Sequence, residues 1–143
     1  MANKNYTVKS VIICDDARQE MTGKEILIGV YNDTIVVERL PATLVKFVIR
    51  VAIRVSKDHF FKKFSLQVID EAKNKIVDAN QDITMPPPDP NMLIGVQLQN
   101  LTFAQSGTHE VFFGFDDDMQ KISEFEIRLP ASPEEQHLLK RTA

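Results

Sequence analysis

At 143 residues the chain is of single-domain size, long enough to bury roughly 70% of the surface its unfolded form exposes, so stability requires neither a disulfide nor a metal. Seventeen basic against twenty acidic side chains leave a formal charge of -3, which gives the molecule as a whole no electrostatic reason to seek nucleic acid or anionic lipid. No stretch approaches the ~20 apolar residues of a membrane span, and the first residues lack the apolar run of a signal peptide, so a reducing cytoplasm is the expected location.

Taken in chain order, the first expected strand covers Tyr6 to Cys14, and the polar stretch from Asp15 to Gly23 reads as a loop ending in a turn. Lys24 to Tyr31 follows as a second strand. Its apolar residues fall on both faces, Ile26, Ile28 and Val30 on one and Leu27 and Tyr31 on the other, so a central strand covered on two sides is expected. Asn32-Asp33 is a turn signal and Thr34 to Val37 a short β-branched run. Pro41 cannot donate to a ladder and suits the beginning of the next strand. From Leu44 to Val55 the period is two, with Phe47, Ile49, Val51, Ile53 and Val55 on one side and Lys46, Arg50 and Arg54 on the other.

A charged turn at Ser56-Lys57-Asp58 leads to Phe60 through Ile69, where Phe64, Leu66 and Val68 alternate with Ser65 and Gln67; Glu71 to Lys75 then closes a hairpin onto Ile76 to Ile83. The proline-rich connection from Met85 to Pro90 is extended and stiff, because each proline fixes its own φ and restricts its predecessor. Between Leu93 and Phe103 the apolar parity changes, since Ile94, Val96 and Leu98 are even-numbered and Leu101 and Phe103 odd. A β-bulge, or a bend passing between sheets, is therefore expected near Asn100. After the turn at Gln105-Ser106-Gly107, His109, Val111, Phe113 and Phe115 alternate; beyond Asp116 to Asp118 the last strand carries Phe125, Ile127 and Leu129. Ser132, Pro133 and Glu135 read as an N-cap, first helical residue and capping-box partner, and Lys140 and Arg141 fall where the C-terminal dipole favours cations. A helix this short persists only when Leu138 and Leu139 dock on something, this domain or a partner.

Roughly eight or nine short strands with one terminal helix define an all-β chain: two packed antiparallel sheets, an immunoglobulin-like sandwich over residues 1–130, with a short helix or tail over 131–143. A closed barrel is the lesser alternative. The absence of tryptophan and of a cysteine pair excludes an antibody-type domain.

The segment from Val11 to Val37 carries a Cys-Asp-Asp (Cys14 to Asp16), an Arg-Gln-Glu (Arg18 to Glu20), a Gly-Lys (Gly23-Lys24) and a Leu-Ile-Gly-Val-Tyr strand (Leu27 to Tyr31), followed by Leu-Pro-Ala-Thr-Leu. This pattern resembles a family of small bacterial proteins classed as domains of unknown function. The resemblance implies a compact β-domain from a bacterium and transfers no activity and no functional residue.

Among chemistry-bearing residues, Asp15, Asp16, Asp116, Asp117 and Asp118 are the suggestive carboxylates: aspartate clusters on loops at one end of a sandwich can converge on calcium, whereas aspartate is also simply a good turn residue. The two groups lie at the same end or at opposite ends depending on whether Thr34 to Val37 counts as a crossing. Asp16, Arg18 and Glu20, with Lys24, form either a binding loop for a polar ligand or partner peptide, or surface pairs contributing about 0–1 kcal/mol each. Lys46, Arg50 and Arg54 recur roughly 13 Å apart at ~3.3 Å per residue; with Lys62 and Lys63 they make an anion strip or, absent interleaved aromatics, a solvated face. His59, His109 and His137 lie apart, and His109 follows the inward parity of its strand as a packed core histidine would. Cys14 reads as an inert structural thiol with a raised pKa. The Pro-x-x-Pro match at Pro87 and Pro90 is a peptide-groove ligand or a stiff connector. Phe60, Phe61, Phe64, Phe103, Phe112, Phe113, Phe115 and Phe125 are assigned mostly to the core.

A well-patterned scaffold without a nucleophile and base, or metal ligands, at recognisable spacing points to a non-enzymatic protein-interaction module. Its partner is another protein or a second copy, with no cofactor, nucleic acid or membrane expected; Asp16, Arg18, Glu20, Lys24, Leu138 and Leu139 are the candidate contact residues. The competing readings are a ligand- or calcium-binding sandwich using the acidic loops, and an enzyme whose site is assembled from distant segments.

Overall fold

Phe47, Ile49, Val51, Ile53 and Val55 are each 6% exposed or less, and that one buried side of a long strand organises the rest of the molecule. The computed structural model describes residues 5–56, 60–84 and 89–142, with side chains of the terminal helix described through Leu139. Lys57, Asp58, His59, residues 85–88 of the proline-rich connection, including Pro87 of the Pro-x-x-Pro match, and the side chains of Lys140 and Arg141 lie outside the described residues.

Among the described residues nine strands and one helix follow in order: β1 (Tyr6–Gln19), β2 (Glu25–Val30), β3 (Thr34–Val36), β4 (Ala42–Val55), β5 (Lys63–Ile69), β6 (Lys75–Asp82), β7 (Asn91–Phe103), β8 (Gly107–Phe115), β9 (Asp118–Arg128) and α1 (Pro133–Thr142). They form a two-sheet sandwich, with a four-stranded sheet ordered β2-β1-β4-β7 and a five-stranded sheet ordered β3-β9-β8-β5-β6. All neighbours are antiparallel except β3 and β9, which run parallel.

Two aromatic groups fill the space between the sheets. Tyr6, Phe61, Phe113 and Phe115 meet at one end, with Tyr6 edge-on to Phe115 at 5.0 Å and Phe61 stacked on Phe115 at 4.2 Å. Further along, Phe47 packs against Phe103 and Phe125, and these two flank His109, whose ring stacks on Phe125 at 5.3 Å. Phe60 and Leu129 instead lie exposed and Phe112 is half-buried, because Phe60 precedes β5, Leu129 follows β9 and Phe112 has the outward parity of β8.

Three expectations need correction. β1 continues through Gln19, so Asp15 to Gln19 is strand and not loop. β2 is an edge strand and not a central one. The reversal near Asn100 inserts no residue: Lys46 pairs with Gln99 and Leu44 with Leu101, the same register on either side of the unpaired Val45 and Asn100, and β4 turns its faces over beside Val45 just where β7 does. Asn100 takes φ 53 there, in the left-handed region that asparagine tolerates. Both strands remain in the four-stranded sheet.

Candidate functional site

β1 pairs with β4 only from Tyr6 opposite Val55 to Cys14 opposite Val48, yet it pairs with β2 from Cys14 opposite Val30 to Gln19 opposite Glu25. Beyond Cys14 the two strands therefore leave the sheet as a two-stranded arm. Glu25 Oε1 accepts a hydrogen bond from Arg50 Nε at 2.8 Å and lies 2.7 Å from Nη2, and Ala17, Gln19 and Glu25 share a ≈ 190 Å³ pocket with Leu93 and Gly95 of β7. Since β4 lies between β1 and β7 in the sheet, these contacts require the arm to arch across the outer face of β4. The burial pattern agrees. Cys14 and Val48 point away from the core, as the inward Ile13 and Ile49 beside them demand, yet they are 0% and 2% exposed.

The bend falls at Asp15 and Gly29, the one pair missing from an otherwise continuous β1–β2 register. Gly29 takes φ 66, and a Cβ on it would run into the Asp15 carboxylate. The Tyr31 hydroxyl donates to Asp15 Oδ1, and burial, followed by this bond, pushes the Tyr31 phenol well above its ordinary range. Burial is also the main reason the Cys14 thiol is raised, with the Asp15 carboxylate next, as its reading as an inert thiol requires.

Along the arm a charged row pairs with an apolar one, Arg18 opposite Ile26 and Asp16 opposite Ile28; Arg18 and both isoleucines face solvent, whereas the Asp16 side chain is only 14% exposed. Ile26, Ile28 and Val30 are 42%, 44% and 55% exposed, and Met21 at the tip is fully exposed. Asp16 Oδ2 accepts from Arg18 Nε at 3.2 Å and lies 3.8 Å from Lys46 Nζ; the Arg18 hydrogen bond is the main cause that lowers the Asp16 pKa. Lys24 and Glu20 approach to 3.9 Å across the tip. All four polar contact candidates of the N-terminal segment thus gather on one arm, where they pair with each other. The apolar row beside them was assigned to a covered strand by its hydrophobicity; a glycine inside a strand pattern was the available signal that the strand bends away.

The two aspartate groups lie at opposite ends. The β8–β9 turn sits beside Tyr6, which accepts a hydrogen bond from Gln120 at 2.9 Å, and Asp15 is nine residues further along β1, about 30 Å of strand at ~3.3 Å per residue. Asp116 and Asp117 take φ 51 and 70 as the two central residues of a tight hairpin turn. Asp116 Oδ1 accepts from the amides of Lys62 at 2.8 Å and Lys63 at 3.0 Å, while Asp117 meets Lys63 Nζ at 2.9 Å. These carboxylates are occupied with turn chemistry. Among the described residues no group of three or more His, Cys, Asp or Glu side chains is placed to hold a metal.

Of the cation strip, Arg50 is half-buried against Glu25 and Ser10, and Lys46 reaches Asp16, so the arm neutralises the strip's centre. The terminal helix is held through a residue the sequence marked only as a cap: Glu135 accepts from Arg128 Nη1 at 2.6 Å and Nη2 at 3.0 Å and from the Ala131 amide at 2.8 Å, while its own amide donates to Ser132 Oγ at 3.2 Å. Leu138 is exposed and Leu139 half-buried. A wider groove of ≈ 400 Å³ opens between the end of β6 and the start of β7, lined by Phe64, Ile83, Met92 and Ile94 with Asp82 at its rim. No helix among the described residues is long and apolar enough to cross a membrane.

Fold and surface together define a two-sheet β-sandwich that carries a folded-over N-terminal arm. Within that class the chain belongs to the family of unknown function DUF6941, whose pattern matches residues 9–128, ending with β9 and leaving α1 outside. No curated protein matches the chain.

Proposed function

We propose that this chain is a non-enzymatic protein-interaction module of the cytoplasm, and that its contact surface is the β1–β2 arm. The observation that carries the reading is the row Ile26, Ile28 and Val30, exposed on a strand that has a sheet neighbour on one side only. Such an edge offers unpaired amides and carbonyls to an added strand, and monomeric proteins normally blunt one with charges or proline. The opposite sheet is treated differently. On its outer face Glu110 bridges Lys73 at 3.2 Å and Lys121 at 3.1 Å, and Lys121 also meets Glu124 at 2.7 Å.

Because the charges bordering the apolar row pair with one another, the partner it fits is an extended segment with alternating uncharged apolar side chains, added alongside β2. A strongly acidic or basic peptide would have to break those pairs. The immunoglobulin-like part of the reading is supported by the connections: β5, β8 and β9 are sheet neighbours in the order of strands C, F and G, and β4 and β7 lie side by side as strands B and E do.

The test compares proteins captured from the native host by the unaltered chain, by Ile26→Lys and Ile28→Lys, and by a control, Gln67→Lys, on the other sheet. Loss of a captured partner in the two arm variants alone is expected. A captured set unchanged in folded arm variants would overturn the assignment.

A further inference from the structure

We propose that the β1–β2 arm is a hinged strap that opens from the outer face of the sandwich as a unit, with Glu25 and Arg50 as its latch and Asp15 and Gly29 as its hinge. This is independent of what binds the arm.

The ladder between β1 and β4 already ends at Cys14, so lifting the arm breaks no hydrogen bond between those strands. What holds the arm down is side-chain contact. The Arg50 guanidinium reaches Glu25 from two nitrogens, Lys46 approaches Asp16, and Ala17 and Leu27 are half-buried on the underside. A ≈ 190 Å³ pocket lies between the arm and β7. The sandwich beneath, by contrast, is held by the long β4–β7 ladder and a core of buried side chains. A ribbon attached through few buried contacts opens at far lower free energy than the structure carrying it. Opening exposes Val48 and Cys14, both sealed when the arm is closed. The hinge falls at Asp15 and Gly29, the pair missing from the β1–β2 ladder and the first beyond the end of the β1–β4 ladder, where the positive φ and the close Asp15 carboxylate require glycine.

Cys14 is the chain's single cysteine and so reports the motion directly. The full chain is labelled with a thiol-specific maleimide at fixed pH across a urea series, alongside global unfolding followed by far-ultraviolet dichroism. In the unaltered chain, labelling under native conditions is expected to outpace global unfolding and to depend on urea far more weakly, as the small surface exposed by a local opening requires. Glu25→Gln and Arg50→Met are each expected to accelerate labelling about tenfold, the loss of one charge-assisted pair, while leaving the urea midpoint of the sandwich nearly unchanged. Labelling that follows global unfolding with the same urea dependence overturns the proposal. So does labelling indifferent to both substitutions. Should either variant fail to fold, amide exchange in the unaltered chain decides: Ile26 to Ile28 exchanging well before Ile49 to Val51 supports the strap, and exchange of both segments together refutes it.

Discussion

Glu25 of β2 and Arg50 of β4 meet at 2.7 Å although β1 separates their strands in the sheet. In a flat sheet their strands would lie about 10 Å apart, and Arg50 stands opposite Ile12 of β1 but Glu25 opposite Gln19, seven residues or about 23 Å further along it, beyond the reach of the two side chains. The contact is possible only because β2 is carried over the face of β4, and the same displacement buries Cys14 and Val48 while leaving Ile26 and Ile28 in solvent. One bend thus creates both the covered and the exposed surface of the arm.

That bend is expected to fail when Gly29 acquires a side chain. Gly29→Ala combines a left-handed backbone with a clash against Asp15, and a cost of about 1–3 kcal/mol is expected in urea unfolding. Gly95, under the arm, has open space around its missing Cβ. Gly95→Ala should be neutral or stabilising by up to about 1 kcal/mol. Equal effects at the two positions would contradict the hinge assignment.

The attachment of α1 should be acid-labile. The Arg128 guanidinium, with the Ala131 amide second, holds the Glu135 carboxyl down at about 2, below its ordinary 4.5. A carboxyl whose folded value is depressed contributes stability that is fully present above its unfolded value and is lost as pH falls through the folded one. Helix signals from Glu134 to Leu139, followed by NMR, should therefore weaken between about pH 4.5 and 2, and Glu135→Gln should remove that step. A helix unaffected across this window would show that other contacts hold it.

His109 tests whether a buried imidazole serves packing or polarity. It is completely buried, with Nδ1–H donating to Gly107 O at 3.0 Å, while Nε2 has no hydrogen-bond partner among the described residues. His109→Phe loses one hydrogen bond but also removes an unsatisfied nitrogen, so the net change is expected within about 1 kcal/mol. His109→Ala leaves a void between Phe103 and Phe125 and should cost about 2–4 kcal/mol. If the phenylalanine variant is as unstable as the alanine one, the bond to Gly107 matters more than the ring.

How legible these features were in the sequence depended on whether the signal was local. β4 and β8 could be read from alternation alone, because one face of each meets the core along most of its length. The N-cap at Ser132 was equally local. β2 was not legible: apolar residues on both faces look the same whether a strand is sandwiched between layers or raised on an arm, and only the pairing register distinguishes them. The reversal at Asn100 was visible as a parity change, but its cause was not, since the matching reversal beside Val45 lies on another strand. Arg128 as the partner of Glu135, and Arg50 as the partner of Glu25, likewise belong to the tertiary arrangement. The four polar candidates lie together on the arm, beside an apolar row that a strand covered on both sides would have buried.

The β8–β9 turn offers a test of reading adjacent aspartates differently. Asp116 and Asp117 both have positive φ, where a residue other than glycine is strained by roughly 1 kcal/mol. The exposed Asp117 side chain meets the half-buried Lys63 across the turn, an ion pair of small worth at such exposure, so Asp117→Gly should stabilise the chain by about 0.5–1 kcal/mol in thermal unfolding. Asp116 is strained in the same way, but its carboxylate accepts from two backbone amides ahead of β5. Asp116→Gly leaves those amides to water, and the lost hydrogen bonds should outweigh the relief, for a net loss of about 0.5–1 kcal/mol. Opposite signs at neighbouring positions of identical residue and similar backbone would trace the difference to the amides of Lys62 and Lys63; a gain at both would mean that those bonds contribute nothing.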